Sequence, residues 1–236
     1  MSLFVIADLH LPFSVNKPMD IFDGWNNYAE RLKHNWQHCV KQNDIVVLPG
    51  DFSWAMKLED AYDDFKFLSG LNGIKILSKG NHDYWWNTVG KMEKFLKSND
   101  FDDIFILHNN CYSYGRFGIC GTRGWISENG EQTDKKILLR EAQRLETSIA
   151  SAESKDLEPL VFLHYPPIYL DGENKEILDV LKRHNVKECF YGHIHGKKKH
   201  MYAVKGKRDG INYHLVSSDF LQFMPLNITK IVQNDE

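Results

Sequence analysis

Short apolar runs rich in Val, Ile, Leu and Phe alternate with amphipathic stretches along the first hundred residues. Leu3 to Ala7, Ile45 to Leu48 and Ile74 to Leu77 have the length and composition of buried strands. Between the first two, Tyr28, Leu32, Trp36, Cys39 and Val40 recur at helical spacing and predict a helix over about 25–41. Leu58, Ala61, Tyr62, Phe65 and Leu68 predict a second over 58–69, and a third follows at about 85–97. An acidic turn, Asn99 to Asp103, then separates this half from a different pattern.

Ile104 to Leu107, Cys111 to Tyr114 and Phe117 to Cys120 read as three short strands, with turns at Asn109-Asn110 and Gly115-Arg116. They predict a meander rather than βαβ units. A loop from Gly121 to Asp134 leads to a long helix reaching about Ser151, its buried stripe marked by Leu138, Ala142, Leu145 and Ile149. A strand over Leu160 to Leu163, a helix over 174–184 and a strand over 188–191 follow. The tail from His200 to Val232 reads as further strands, with a hairpin turn within Gly206 to Gly210. Two βα-rich parts flanking a β-rich middle predict an α/β (α+β) chain of two packed sheets with helices outside. The 236 residues contain no linker or repeat, so 1–236 reads as one domain.

The polar residues fall at particular places in this pattern. Asp8 and His10 follow the first run, Asp51 the second, and Asn81, His82 and Asp83 the third. His164 closes the run at Leu160, and His193 and His195 follow Cys189 to Tyr191. In open α/β sheets, ligands sit beyond the carboxyl ends of the strands. Five strand ends therefore deliver oxygen and nitrogen donors to one place.

Composition narrows the classes. The net charge is 29 − 32 = −3, so no global field draws the chain to nucleic acid or to an anionic membrane. No apolar stretch approaches the roughly 18 residues of a spanning helix, and no secretory signal is read at the N-terminus. Cys39, Cys111, Cys120 and Cys189 form no CxxC pair and read as reduced, buried thiols. A cytoplasmic location is expected. The chain has no G-x-S-x-G elbow, G-x-G-x-x-G or Walker loop, which disfavours serine hydrolase and nucleotide-driven chemistry.

Carboxylate, amide oxygen and imidazole together suit borderline divalent ions such as Mn, Fe, Zn, Ni or Co. The seven candidates are Asp8, His10, Asp51, Asn81, His164, His193 and His195. They are too many for one tetrahedral ion with an open position. They suit two ions about 3.5–4 Å apart if one carboxylate bridges them.

The ordered set Asp8-x-His10, Gly50-Asp51, Gly80-Asn81-His82-Asp83, His164 and Gly192-His193-x-His195 resembles the calcineurin-like metallophosphoesterase superfamily. The resemblance implies a four-layer α/β/β/α sandwich of two mixed sheets. It implies that Asp8, His10, Asp51 and His195 hold one metal, that Asp51, Asn81, His164 and His193 hold the other, and that Asp51 bridges them. It further implies a phosphohydrolase acting on a phosphomonoester or small phosphodiester by attack of a metal-bridging hydroxide, with manganese the favoured metal. His82 would face the substrate and protonate or stabilise the leaving oxygen. The second motif, Gly50-Asp51-Phe52-Ser53-Trp54, lacks the second Asp and the Arg of protein Ser/Thr phosphatases. Gly121-Thr122-Arg123-Gly124-Trp125 is instead similar to an uncharacterised bacterial phosphohydrolase branch, and Arg123 is a candidate to fork onto phosphate oxygens. The alternative for Arg123 is a pair with a surface carboxylate. The alternatives for the chain are a non-catalytic metal-binding scaffold and a nuclease. A small phosphorylated substrate is the expected partner, and neither nucleic acid nor membrane is.

The remaining signals are structural or open. Trp54, Trp85, Trp86 and Trp125 lie near the motifs and read as core packing or as walls of a pocket that stacks on a ring. Lys197 to Lys199 reads as a solvated face or as an attractor of an anionic substrate, and Asp44, Asp60, Asp63 and Asp64 as solvated or helix-end charges. His34, His38, His108, His184, His200 and His214 fit no motif.

Overall fold

The computed structural model describes residues 1–15, 17, 19–126, 132–170 and 172–233. The first part of the chain forms β1 (Leu3–Val5), α1 (Tyr28–Cys39), β2 (Ile45–Pro49), α2 (Tyr62–Ser69), β3 (Ile74–Ser78), α3 (Val89–Ser98) and β4 (Ile104–Ile106). The middle forms β5 (Tyr112–Tyr114), β6 (Phe117–Thr122), α4 (Gln132–Glu153), β7 (Glu158–Leu163), β8 (Ile168–Tyr169), β9 (Gly172–Glu173), α5 (Lys175–Arg183) and β10 (Glu188–Tyr191). The tail forms α6 (Lys197–His200), β11 (Gly206–Arg208), β12 (Ile211–Leu215), β13 (Leu226–Asn227) and α7 (Thr229–Gln233).

The strands make two mixed sheets. One runs β13-β1-β2-β3-β4 and is parallel except at β13. The other runs β11-β12-β10-β7-β6-β5 and is parallel except at its two edges. A small hairpin, β8-β9, stands apart.

Alternation along the strands builds the layers. Successive strand side chains point to opposite faces. Leu3, Val5, Ile45, Val47, Leu160, Phe162 and Phe190 point inward and form the core between the sheets. There the rings of Phe162 and Phe190 stack at 5.0 Å. The outward residues of β1 and β2, among them Phe4, Val46 and Leu48, pack with Leu32, Trp36 and Phe65 of α1 and α2. Val161, Leu163, Cys189 and Tyr191 face the other way and pack with Leu145, Ile149, Ile177 and Leu181 of α4 and α5. Each fully buried Leu, Ile or Phe in these layers contributes about 1.5–3 kcal/mol. The result is the expected four-layer sandwich, helices outside two sheets.

Three local expectations are corrected. The three middle strands are not a meander: β4 pairs in parallel with β3, while β5 and β6 form a hairpin in the other sheet. The chain crosses between sheets at 107–111, because Ile104 and Ile106 bury against α3 and its neighbours in the first layer. The tail is not all strand, since Lys197–His200 and Thr229–Gln233 are short helices. Asp44 and Asp64 are buried rather than solvated, although Asp64 does sit in the first turn of α2 as a helix-end charge. Asp44 accepts from the N–H groups of Ser2 (2.6 Å) and Lys41 (3.0 Å), and Asp64 accepts from the N–H of Phe13 (2.9 Å) and from the Ser53 hydroxyl (2.5 Å). Part of the expected loop before α4, residues 127–131, lies outside the described residues. Among the described residues all four cysteines are free thiols, Cys39 only half-buried, and no helix is long and apolar enough to cross a membrane.

Lys75 is the one lysine fully buried in a strand among the described residues. Its ammonium donates to the Leu71 carbonyl and lies 2.5 Å from Asp103 Oδ2. Burial pushes its pKa down and Asp103 opposes that shift. Asp103→Ala strands this charge and should cost about 3 kcal/mol in urea unfolding, whereas Lys75→Met should cost far less because both partners' demands change together. Equal losses for the two variants would contradict this account.

Candidate metal centre

The site lies where the carboxyl ends of both sheets meet. β1, β2 and β3 of the first sheet deliver Asp8, His10, Asp51 and Asn81, and β7 and β10 of the second deliver His164, His193 and His195. Backbone bonds knit these ends together. Asp8 N–H donates to Gly50 O at 3.0 Å, His10 N–H to Asp51 O at 2.9 Å and Gly192 N–H to His164 O at 3.1 Å.

Two glycines are demanded by this crowding. A Cβ on Gly80 would stand 2.1 Å from Asp51 Oδ1, and one on Gly192 would stand 2.6 Å from Asp8 Oδ2. Four of the seven candidate ligands also hold left-handed backbone: Asp8, His10, Asp51 and His193, with φ of 61°, 46°, 53° and 70°. Such conformations cost free energy in non-glycine residues and persist only where the surroundings fix them.

All seven candidates come together, in two groups. Ligand atoms of Asp8, His10 and His195 lie within 4.8 Å of one another, and so do those of Asp51, His164 and His193. Asn81 Oδ1 joins the second group, 2.6 Å from His164 Nε2 and 3.0 Å from His193 Nδ1. Asp51 Oδ2 stands between the groups, 3.5 Å from His164 Nε2 and 3.7 Å from His10 Nε2.

Hydrogen bonds fix which ring nitrogens keep a lone pair. His164 Nδ1–H donates to Pro49 O at 3.2 Å, so its Nε2 faces Asn81 and Asp51 as an acceptor. His195 Nδ1 is 3.0 Å from Asp219 Oδ1, which leaves Nε2 directed at His10 Nε2, 3.3 Å away. A carboxylate behind a ligating imidazole is the usual orienting device at metal sites.

The electrostatics fit a cation. Burial drives the pKa of His164 down to about 3, that of His193 to about 2 and that of His10 well below its usual value, so these rings are neutral donors. His195 is raised, because Asp8 and Asp219 outweigh the effect of burial. Burial lifts Asp8 to about 8 and Asp51 to about 6, with the Asp51 charge adding to the shift at Asp8. Two buried carboxylates facing four imidazole rings without a cation are poorly satisfied. Divalent ions would supply the missing charge and use the lone pairs already directed inward.

Two carboxylates have roles that the sequence reading did not assign. Asp83 closes the Gly80-Asn81-His82-Asp83 stretch yet holds no ligand position. Its Oδ2 accepts from Gly80 N–H (2.7 Å) and Asp51 N–H (2.9 Å), and its Oδ1 accepts from Phe52 N–H (2.9 Å) and Trp85 Nε1–H (2.9 Å). Asp219 belongs to Ser217-Ser218-Asp219, which follows β12 as the other site residues follow their strands. The strand-end rule alone would have found it. Besides His195, it accepts from Gly196 N–H at 2.8 Å, while Ser218 Oγ–H donates to Asp8 O at 2.7 Å.

His82 and Arg123 have different surroundings. His82 is half-buried, its N–H bonded to Asp51 Oδ1 at 2.8 Å and its ring 4.6 Å from Trp54. Burial lowers its pKa, and its Nδ1 has no hydrogen-bond partner among the described residues. Arg123 Nη2 is 3.6 Å from Glu141 Oε1, a buried rather than a surface carboxylate, and its guanidinium lies over Trp125. Glu141 also binds Thr122 Oγ1 (2.6 Å) and Arg144 Nη1 (2.6 Å).

A family model, calcineurin-like phosphoesterase, matches residues 1–197. The chain belongs to that family. The family is one of metal-dependent phosphoesterases, and the chain carries two groups of candidate metal ligands. Solved structures of similar fold include the protein of unknown function AQ665 from Aquifex aeolicus, 16% identical, covering 98% of each chain at a TM-score of 0.56. They also include TT1561 of Thermus thermophilus, 15% identical, covering 90% of this chain and 87% of that chain at 0.57. Among curated proteins, the spindle pole body component alp6 of Schizosaccharomyces pombe is 28% identical over 133 residues. That match takes in 53% of this chain but only 16% of alp6.

Asp219→Asn keeps the size of the side chain but removes the charge behind His195. It should weaken metal binding by about 10–100-fold in a competition titration while leaving secondary structure intact. Unchanged affinity would mean that Asp219 merely ties down the Gly196 turn.

Proposed function

We propose that the protein is a dinuclear metal-dependent hydrolase of a phosphomonoester or small phosphodiester. The observation that carries this is the position of Asp51, one carboxylate oxygen between two complete donor groups. In this reading Asp8, His10, Asp51 and His195 hold one ion and Asp51, Asn81, His164 and His193 the other. When bound, two such ions polarise a phosphoryl oxygen and lower the pKa of water toward neutrality. Manganese is the metal to try first.

The chain's own residues position and discharge the substrate. Asp83 and the backbone bonds around it set Asp51 and Asn81 before any substrate arrives, so no reorganisation is needed at the moment of reaction. His82, tied through its N–H to Asp51, presents its ring beside the centre and donates to the leaving oxygen. Arg123 is the candidate to supply further donors to phosphate oxygens from its guanidinium. A small phosphorylated molecule is the substrate. The cytoplasm is the proposed location, which the four free thiols support.

The test is hydrolysis of bis(p-nitrophenyl) phosphate and p-nitrophenyl phosphate by manganese-loaded protein. At least one ester should turn over, and Asp51→Asn should lose both turnover and bound metal. Two ions bound per chain with neither ester hydrolysed would overturn the proposal in favour of a binding scaffold. In the active protein, His82→Ala should keep its metals and lose rate by about 10²–10⁴-fold. Full activity in that variant would remove His82 from the reaction.

A further inference from the structure

A cavity of about 540 Å³ opens directly onto the metal-ligand cluster, with His10, His82 and His195 at its floor. Its walls are apolar: Met19, Ile21, Phe22, Trp25 and Trp54. Its rim carries Lys17, Lys197 and Lys199 against a single carboxylate, Asp23.

The walls differ in how firmly they are held. Trp25 is buried, edge-on to Tyr28 at 5.1 Å and to Phe223 at 5.0 Å. Trp54 stacks on His10 at 4.6 Å. Ile21 and Phe22 are instead 78% and 51% exposed, large apolar side chains left in water at the mouth of a catalytic cleft. A pocket of this size with apolar walls and a few convergent polar groups is the usual form of a small-molecule site.

The rim adds charge to shape. Lys197 is paired with Asp23 at 3.4 Å, and Lys17 lies 3.3 Å over the Trp54 ring. Lys199 remains as a rim cation without a charged partner among the described contacts, and the rim as a whole is cationic. Such a rim favours a ligand bearing negative charge beyond the phosphoryl group itself.

His82 decides which part of a substrate enters here. It faces this cavity, whereas Arg123 and Glu141 contribute nothing to its lining. The oxygen that departs toward His82 carries its alcohol into the space behind it. We infer that the cavity receives the leaving alcohol, and that this alcohol is apolar and bears a second anionic group. Phe22 and Lys199 are then specificity-determining residues. The inference rests on the phosphoesterase reading above and deepens it to a substrate class.

The test uses three monoesters whose alcohols leave equally well: ethyl phosphate, 3-phenylpropyl phosphate and 3-(4-carboxyphenyl)propyl phosphate. With metal-loaded protein, kcat/KM should rise by at least about 10-fold from the first to the second, and again to the third. Phe22→Ala should bring the phenylpropyl-to-ethyl ratio toward one. Lys199→Ala should shrink the gain from the carboxylate. Equal kcat/KM for ethyl and phenylpropyl phosphate, or an unchanged ratio in Phe22→Ala, would overturn the inference and leave the phosphoesterase reading standing. A readout independent of turnover is the calorimetric Kd of 3-phenylpropylphosphonate against that of ethylphosphonate. Tighter binding of the first, lost in Phe22→Ala, supports the pocket even if no ester is hydrolysed, a result that would count against the phosphoesterase reading alone. Equal affinities would overturn the pocket.

Discussion

Five N–H groups converge on the carboxylate of Asp83, and the centre depends on that convergence. Gly80, Asp51, Phe52 and Ser53 donate from the backbone and Trp85 from its indole. The loops after β2 and β3 are thereby held together. Burial and the nearby Asp51 charge push the Asp83 pKa up to about 7, while its donors pull the other way. A buried carboxylate with this many donors is stable only if each stays in place, so the arrangement is cooperative. The left-handed backbone of Asp51 is one of the strains that this clip offsets.

The same logic recurs across the site. Asp8 accepts from His193 N–H at 2.9 Å, which ties the first sheet to the second. Asp219 holds both the ring of His195 and the turn at Gly196. At Asp51 and His195 the candidate ligands are thus held by carboxylates, Asp83 and Asp219, and those carboxylates are held by backbone N–H groups. The glycines make this possible by letting one loop's backbone pass against another loop's carboxylate. Apolar sheets below supply the rigid base from which all these loops project.

Much of this was readable in the residues. Strand-length apolar runs ending in Asp, Asn or His placed all seven donors at one edge of two sheets, because a strand's direction determines where its next residue emerges. The outward and inward faces of β1, β2, β7 and β10 followed from alternation. What was missed has physical reasons. The crossing between β4 and β5 depends on which sheet Ile104 and Ile106 cover, and their local pattern is the same in either case. Asp44 and Asp64 look like surface charges because each is held by a backbone N–H far away in the chain, Ser2 for Asp44 and Phe13 for Asp64. Asp219 sits in a tail without a recognisable motif, and its partner His195 was already assigned on other grounds. Arg123 read as pairing a surface carboxylate or a phosphate, and the structure shows it beside buried Glu141.

The tail leaves the centre with an assembly order. Val5 pairs with Leu226, Ala7 bridges Ser217, and Ser218 bonds Asp8, all across more than two hundred residues of intervening chain. Contacts this distant close the largest loops and form late in folding. Synthesis must therefore pass Asp219 before Asp8 and His195 acquire these supports. Until then the nascent protein carries the candidate donors without the contacts that orient them, and the centre is completed late in folding rather than seeding it.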